Sequence, residues 1–211
     1  MSSGTASPSS TTERILDAAA EVFAEEGFGG ARVEAIAARA AVNKAMLYYH
    51  VGDKAELYAA VLARNLAALR ATLAAAVDGT TTAADRLRAV IAALAALADR
   101  LPEHPRIMLR EIAAGGANLP AAVAGQIAEL LATVRGVLDD GVQGGQLRAV
   151  NPFLTYLLIV GSVTFMTAAL PMSERLRTLG VPIERRESPL DVAHYLADVL
   201  LNGLAEPGGR P

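Results

Sequence analysis

The chain has 211 residues, 53% hydrophobic and 19% charged, with a formal net charge of −3. This composition excludes a disordered chain and leaves enough apolar material for one large or two small cored domains. A polycation is excluded too, so any nucleic acid must be met by a local patch. Cysteine is absent, which rules out disulfides and thiolate metal sites and fits a reducing compartment.

The N-terminal "MSSGTASPSSTT" is polar and holds no apolar run. Residues 1–10 are therefore expected to form a disordered tail rather than a secretory signal. Beyond it the pattern is helical nearly throughout: alanine and leucine dominate, and no stretch alternates as a strand would. Ser10 with Glu13 fits a capping box for a first helix, with Ile15, Ala19, Val22 and Phe23 inward and Gly27 as its stop. "RVEAIAARA" reads as a short second helix, with Val33, Ile36 and Ala40 inward. Asn43 caps a third, "KAMLYYHV", and Asp53 with Glu56 opens a long fourth to about Val77. Thr82 with Asp85 starts a fifth helix, to about Arg100. "LPEHPRIMLREIAAGG" holds a short sixth, and Pro120 opens a seventh, to about Val142. Asn151 and Pro152 begin an eighth, charge-free from Phe153 and expected to end near Leu170. Pro171 to Glu187 reads as a long loop with room for one helical turn, and Ser188, Pro189 and Asp191 start a ninth helix to about Leu204, before a frayed "EPGGRP".

The charge-free stretch is near the length of a membrane span. It contains Thr155, Tyr156, Ser162, Thr164 and Thr167 and lacks a flanking basic cluster, so a buried or subunit-interface helix of a soluble, cytoplasmic protein is the expectation, with no membrane partner.

Val42 to Leu57, "VNKAMLYYHVGDKAEL", holds both lysines of the chain, Lys44 and Lys54, and two adjacent tyrosines. Two short helices joined by a tight turn, the second capped by an amide, describe a helix-turn-helix. At 100° per residue, Asn43, Leu47, His50 and Val51 fall on one side of the second helix, and Lys44, Ala45, Tyr48 and Tyr49 on the other. The second face offers a cation, a methyl contact and two phenols, which suits phosphates and base edges of a major groove. Lys54 lies at the next helix start, where free amides favour a phosphate.

"ERILDAAAEVFAEEGFGGARVEAIAARAAVNKAMLYYHVGDKAELYAAVL", Glu13 to Leu62, resembles the DNA-binding segment of the tetracycline-repressor (TetR) family of bacterial regulators. The resemblance implies a recognition helix beginning at Asn43, Lys44, Ala45 and Met46, with Tyr48, Tyr49, His50 and Lys54 on bases or phosphates. Three positions depart from the pattern. Ala41 replaces a turn glycine, so the turn is expected to avoid positive φ. Val51 replaces a phenylalanine. Arg32 stands where a Ser or Thr caps the second helix, losing a cap and adding a possible phosphate contact. Residues 1–60 carry five basic and eight acidic side chains, so non-specific DNA binding is expected to be weak and specificity to rest on few contacts.

The resemblance extends the reading to an all-α protein of about nine helices. A three-helix helix-turn-helix domain spans residues 11–57, a ligand-binding and dimerisation domain spans 58–205, and a disordered tail spans 206–211. Its partners are a double-stranded DNA operator, a largely apolar small-molecule effector and a second copy of the chain. The main reading is a ligand-released repressor. An activator or protein-gated regulator, and a helical ligand binder without DNA function, are the alternatives. In the second domain His104, Arg106, Arg110 and Glu111 sit among apolar neighbours, either as internal ion pairs or as ligand contacts. An apolar cavity is expected between the long helix after Asp53, the helices around Met108 and Ile127, and the one from Phe153. His104, Met108, Glu111, Ile127, Tyr156 and Thr164 are its candidate ligand residues, although core packing or a dimer contact also explains Tyr156 and Thr164. The charge-free helix has more apolar surface than one core can bury. With the last helix it is expected to form the dimer interface through Leu158, Gly161, Ser162, Phe165, Val192, Leu196 and Val199. No nucleophile–base pair, cofactor motif or metal-ligand spacing stands out, so catalytic, cofactor and metal residues are expected to be absent.

Overall fold

The computed structural model describes residues 10–77, 82–183 and 187–204; the two expected disordered tails lie outside these, save Ser10. Among the described residues there are nine helices and no strand. They are α1 (Thr11–Gly30), α2 (Val33–Arg39), α3 (Lys44–Val51), α4 (Lys54–Val77), α5 (Ala83–Arg100), α6 (Glu103–Ala113), α7 (Ala121–Gln143), α8 (Pro152–Thr178) and α9 (Pro189–Leu204). Two compact units divide at Arg64 and Asn65, within α4.

In the first unit α1, α2 and α3 pack on one another. Ser10 and Glu13 form the reciprocal cap of α1, and Gly27 breaks that helix at φ +72°. Ile15, Phe23, Ile36 and Leu47 are fully buried. Tyr58 of α4 joins Phe23 and Phe28, with ring centroids 4.8 and 5.1 Å away, so aromatic packing completes this small core.

The turn between α2 and α3 corrects one expectation: Ala41 adopts φ +54° rather than avoiding positive φ. Val42 N–H donates to the Ala37 carbonyl at 3.0 Å and Ala41 N–H to that of Ala38 at 3.2 Å. These are the two bonds of a Schellman ending, and forming them requires a left-handed residue at this position.

In the second unit α5 is central, packing against α6, α7, α8 and α9. Leu87, Val90, Ile91 and Leu97 are its most deeply buried large side chains. The eighth helix is longer than expected: α8 passes through Pro171 and ends at Thr178. The proline leaves the Thr167 carbonyl without its helical donor. Glu174, Arg175, Leu176 and Arg177 are good helix formers, Arg177 pairs with Glu174 at 2.7 Å, and the stop comes only at Gly180, φ +87°. Both α7 and α8 are long and apolar enough to cross a membrane, by length and composition only.

Candidate DNA-binding surface and ligand cavity

In α3 the Asn43 side chain accepts from Met46 N–H at 2.7 Å, which fixes the helix start. Leu47 is wholly buried and anchors the helix, while Lys44, Ala45, Met46 and Tyr48 are exposed and Tyr49 is 87% exposed. Ordinary core packing therefore does not account for Tyr49. His50, which the helical wheel puts on the Leu47 side, is exposed as well, with Nδ1 3.4 Å from Thr12 Oγ1. The helix is short and only its Leu47 position is fully covered, so a wheel dividing it into two equal faces assigns too much of it to the core.

Lys44 Nζ hydrogen-bonds Glu34 of α2 and lies 5.8 Å from the Tyr48 ring centroid. The hydrogen bond between them, with their mutual attraction, raises the Lys44 pKa and lowers that of Glu34. Lys54 Nζ sits 4.8 Å from the Phe28 ring centroid and donates to the Gly29 carbonyl at 3.3 Å. Arg32 is the exposed residue preceding α2 and makes no side-chain cap. On α1 much of the negative charge is compensated: Arg39 meets Glu25 at 3.0 Å and Glu21 at 3.5 Å, and Arg64 meets Asp17 at 2.7 Å. What remains around α3 is a set of phenols, amides and two tethered cations, able to take phosphates and base edges once Glu34 releases Lys44.

The second unit holds a cavity of about 50 Å³ among α4, α5, α6, α7 and α8. Five of the six candidate ligand residues line it: His104, Met108, Ile127, Tyr156 and Thr164. Glu111 does not. It is buried, and its carboxylate accepts from the Asn118 backbone at 3.3 Å and side-chain amide at 3.1 Å, tying down the loop after α6. Arg106 pairs with Glu103 at 3.7 Å. Burial lowers the His104 pKa to about 4, and its Nδ1 lies 3.2 Å from the Asn65 side-chain nitrogen. Burial also raises the pKa of Tyr156.

A groove of about 540 Å³ between α4 and α7 shares Leu66, Leu69 and Leu130 with this cavity and is also lined by Arg70, Gln126 and Glu129. Sequence reasoning missed Asn65 and this groove. The available signal was Asn65 itself, the one amide in α4, placed within the stripe Leu62, Leu66, Leu69, Leu73.

The candidate interface residues divide by exposure. Leu158, Phe165 and Val199 are exposed, whereas Val192 and Leu196 are buried in the protomer's own core; Gly161 and Ser162 are half-buried. Leu196 lies in the floor of a groove whose rim includes Leu158 and Val199.

The family model for bacterial regulatory proteins of the tetR family matches residues 15–61, and that for the tetracyclin repressor-like C-terminal domain matches residues 80–168. Over 172 residues the chain is 31% identical to the HTH-type transcriptional repressor SCO4008 of Streptomyces coelicolor, covering 80% of this chain and 84% of that one. The chain belongs to the TetR family of transcriptional regulators. A second relative, the HTH-type transcriptional repressor NicS of Pseudomonas putida, is 28% identical over 92% of each chain. The fold is shared with the ketosteroid transcriptional regulator KstR2 of Mycobacterium tuberculosis, at a TM-score of 0.73 and 21% identity, over 95% of this chain and 98% of that one. The first TetR match contains all of α3 and Lys54; the second contains every candidate ligand residue.

Proposed function

We propose that this TetR-family regulator is a repressor that binds a near-palindromic operator as a homodimer and leaves it when a small molecule fills the cavity of its second unit. The observation that carries the reading is the exposed start of α3, where Lys44, Ala45, Tyr48 and Tyr49 project from a helix anchored by buried Leu47. Lys44 and Tyr48 read base edges; Arg32, Asn43, Met46, Tyr49, His50 and Lys54 position the backbone. His104, Met108, Ile127, Tyr156 and Thr164 hold the effector, with Glu111 acting through its loop. Leu158, Phe165 and Val199 meet a second copy, while Gly161 and Ser162 let the helices approach. The protein is soluble and cytoplasmic, so the apolar surplus of α8 faces protein rather than lipid. The effector acts by population shift, favouring a dimer whose recognition helices are wrongly spaced for successive major grooves.

Support comes from two repressors among the relatives, SCO4008 and NicS. A structural neighbour, AibR, is known in complex with isovaleryl coenzyme A and operator DNA (TM-score 0.69, 20% identity). An activator reading draws on FasR of Mycolicibacterium smegmatis, 42% identical, but over only 36% of that protein. A gel shift on DNA flanking the protein's own gene, followed by a thermal-shift screen of metabolites and operator release by each hit, tests the proposal. Lys44→Ala and Tyr48→Ala should each weaken operator binding by about 1–3 kcal/mol. Unchanged affinity in both folded variants would remove the assigned reading face.

A further inference from the structure

We propose that the effector is an uncharged, lipophilic carbonyl compound, seated with its oxygen at His104 and Tyr156 and its apolar body in the groove between α4 and α7. This rests on the reading of the cavity as the effector site and adds the chemistry of what fills it. None of the fifteen residues lining the cavity is an acid, an arginine or a lysine. A carboxylate or ammonium placed there would lose its hydration without a countercharge.

The polar groups that line it are one imidazole and three hydroxyls, each able to donate a hydrogen bond. The Asn65 amide is 1% exposed, and its nitrogen lies 3.2 Å from His104 Nδ1. With the amide so oriented its nitrogen donates to Nδ1 and its own oxygen stays unpaired, and the neutral ring carries its proton on Nε2, with no acceptor among the described residues. Burial keeps the imidazole neutral at cellular pH and the Tyr156 phenol protonated. The Tyr156 and Thr164 hydroxyls make no hydrogen bond among the described residues, whereas Thr167 already donates to the Val163 carbonyl at 2.6 Å. Two or three donors facing one small space call for an acceptor, and a carbonyl oxygen supplies two lone pairs without a charge.

Size gives the orientation. The cavity of about 50 Å³ takes little more than a head group, since sites that enclose a whole small-molecule ligand run to about 300–1,000 Å³. The groove of about 540 Å³ takes the body once Leu66, Leu69 and Leu130, which line both spaces, part to join them. The outer edge of that groove is polar, with Arg70 and Glu129 paired at 3.3 Å and the buried Gln126 side-chain oxygen unpaired.

Calorimetric titration at pH 7.5 with three ten-carbon probes, 2-decanone, decanoate and decylamine, tests the inference. 2-Decanone should bind at least tenfold more tightly than either charged probe. The resonance of its ¹³C-labelled carbonyl should move downfield on binding, and the isosteric Tyr156→Phe should remove much of that displacement and weaken binding several-fold. Equal or tighter binding of decanoate or decylamine overturns the proposal, as does a carbonyl resonance indifferent to both Tyr156→Phe and His104→Phe. Failure of all three probes to bind also overturns it. Ile127→Trp, which crowds the cavity wall, separates the two levels. If it abolishes binding of a preferred charged probe, the cavity stands as the effector site and only the carbonyl is lost. If it leaves binding untouched, the site itself is misplaced and both readings fall.

Discussion

Among the described residues four helices end with the same pair of hydrogen bonds, and at three of them a glycine takes the left-handed position: Gly115 after α6, Gly145 after α7 and Gly180 after α8. At the fourth, after α2, the residue is Ala41, whose Cβ makes that conformation cost roughly 1–2 kcal/mol. Ala41→Gly should relieve the strain and give back part of it as unfolded-chain entropy, a net gain of about 0.5–1 kcal/mol. A chemical-denaturation midpoint unchanged or lowered in Ala41→Gly would show that the turn tolerates alanine without strain. His104 carries the second prediction at this scale. Its pKa in the fold, about 4, lies below the ordinary 6.5, so between these values the unfolded chain binds more protons than the native one. Its contribution is therefore complete above pH 6.5 and is lost as pH falls towards 4. The parent should lose about 2 kcal/mol more than His104→Gln between pH 7 and pH 5. Parallel urea titrations at the two pH values measure this, and equal losses would mean that the ring is hydrated in the native state.

Helices are where the sequence was most legible, because their ends are decided by neighbours in the chain. Ser10, Asn43, Asp53, Thr82, Asn151 and Ser188 were each readable as a helix start, and each side chain accepts from a backbone N–H within three residues. Pro171 misled the same reasoning: a proline predicts a stop, but the apolar packing before it and the helix formers after it outweigh the lost bond. Reading the faces of α9 fails for a different reason. Val192, Leu196 and Val199 all belong to an apolar helix, and only packing on α5 and α8 decides that the first two turn inward. Similarly, the exposure of Lys44, Ala45, Tyr48 and Tyr49 was legible from local period, whereas the Asn65–His104 contact joins residues 39 apart and leaves no local pattern. Gly141 of α7 shows what close helix approach demands. A Cβ there would come within 2.8 Å of Ala83 Cβ, at the start of α5, and 2.5 Å of Leu147 Cδ1. Leu147 can rotate, but Ala83 can retreat only with its backbone. Gly141→Ala should therefore cost about 1–2 kcal/mol net, despite alanine's better helix propensity. Gly136→Ala, which would meet nothing within 4 Å on the same helix, should be neutral or stabilising, and equal thermal midpoints for the two variants would refute the close approach.

The molecule as a whole carries a net charge of −3 and must nevertheless hold a polyanion. Lys44 and Lys54 are the only lysines and both are tethered within the protein, so one recognition unit is expected to bind weakly and affinity to come from joining two. That requirement bears on the apolar surface of α8 and α9, where Leu154, Leu157, Leu158, Phe165, Tyr195 and Val199 are each at least 47% exposed in the protomer. Leu154, Leu158 and Val199 share one groove, and large apolar side chains exposed in number on two neighbouring helices mark an interaction surface. A self-complementary pairing of it would set two α3 helices about a two-fold axis, the symmetry a palindromic operator presents. The best place to break such a dimer is an exposed position, because a charge at buried Leu196 would unfold the protomer and confuse the result. Leu158→Glu and Val199→Glu place a carboxylate on the exposed face while leaving the α5–α9 core intact. Both variants should keep the parent's helical content, sediment as monomers without detergent, and bind a full operator roughly 10²–10³-fold more weakly while retaining half-site affinity. Dimers in both variants would move the interface elsewhere on the second unit. A parent protein that sediments as a stable monomer, or that needs detergent to stay in solution, would show that this face serves something other than a second copy.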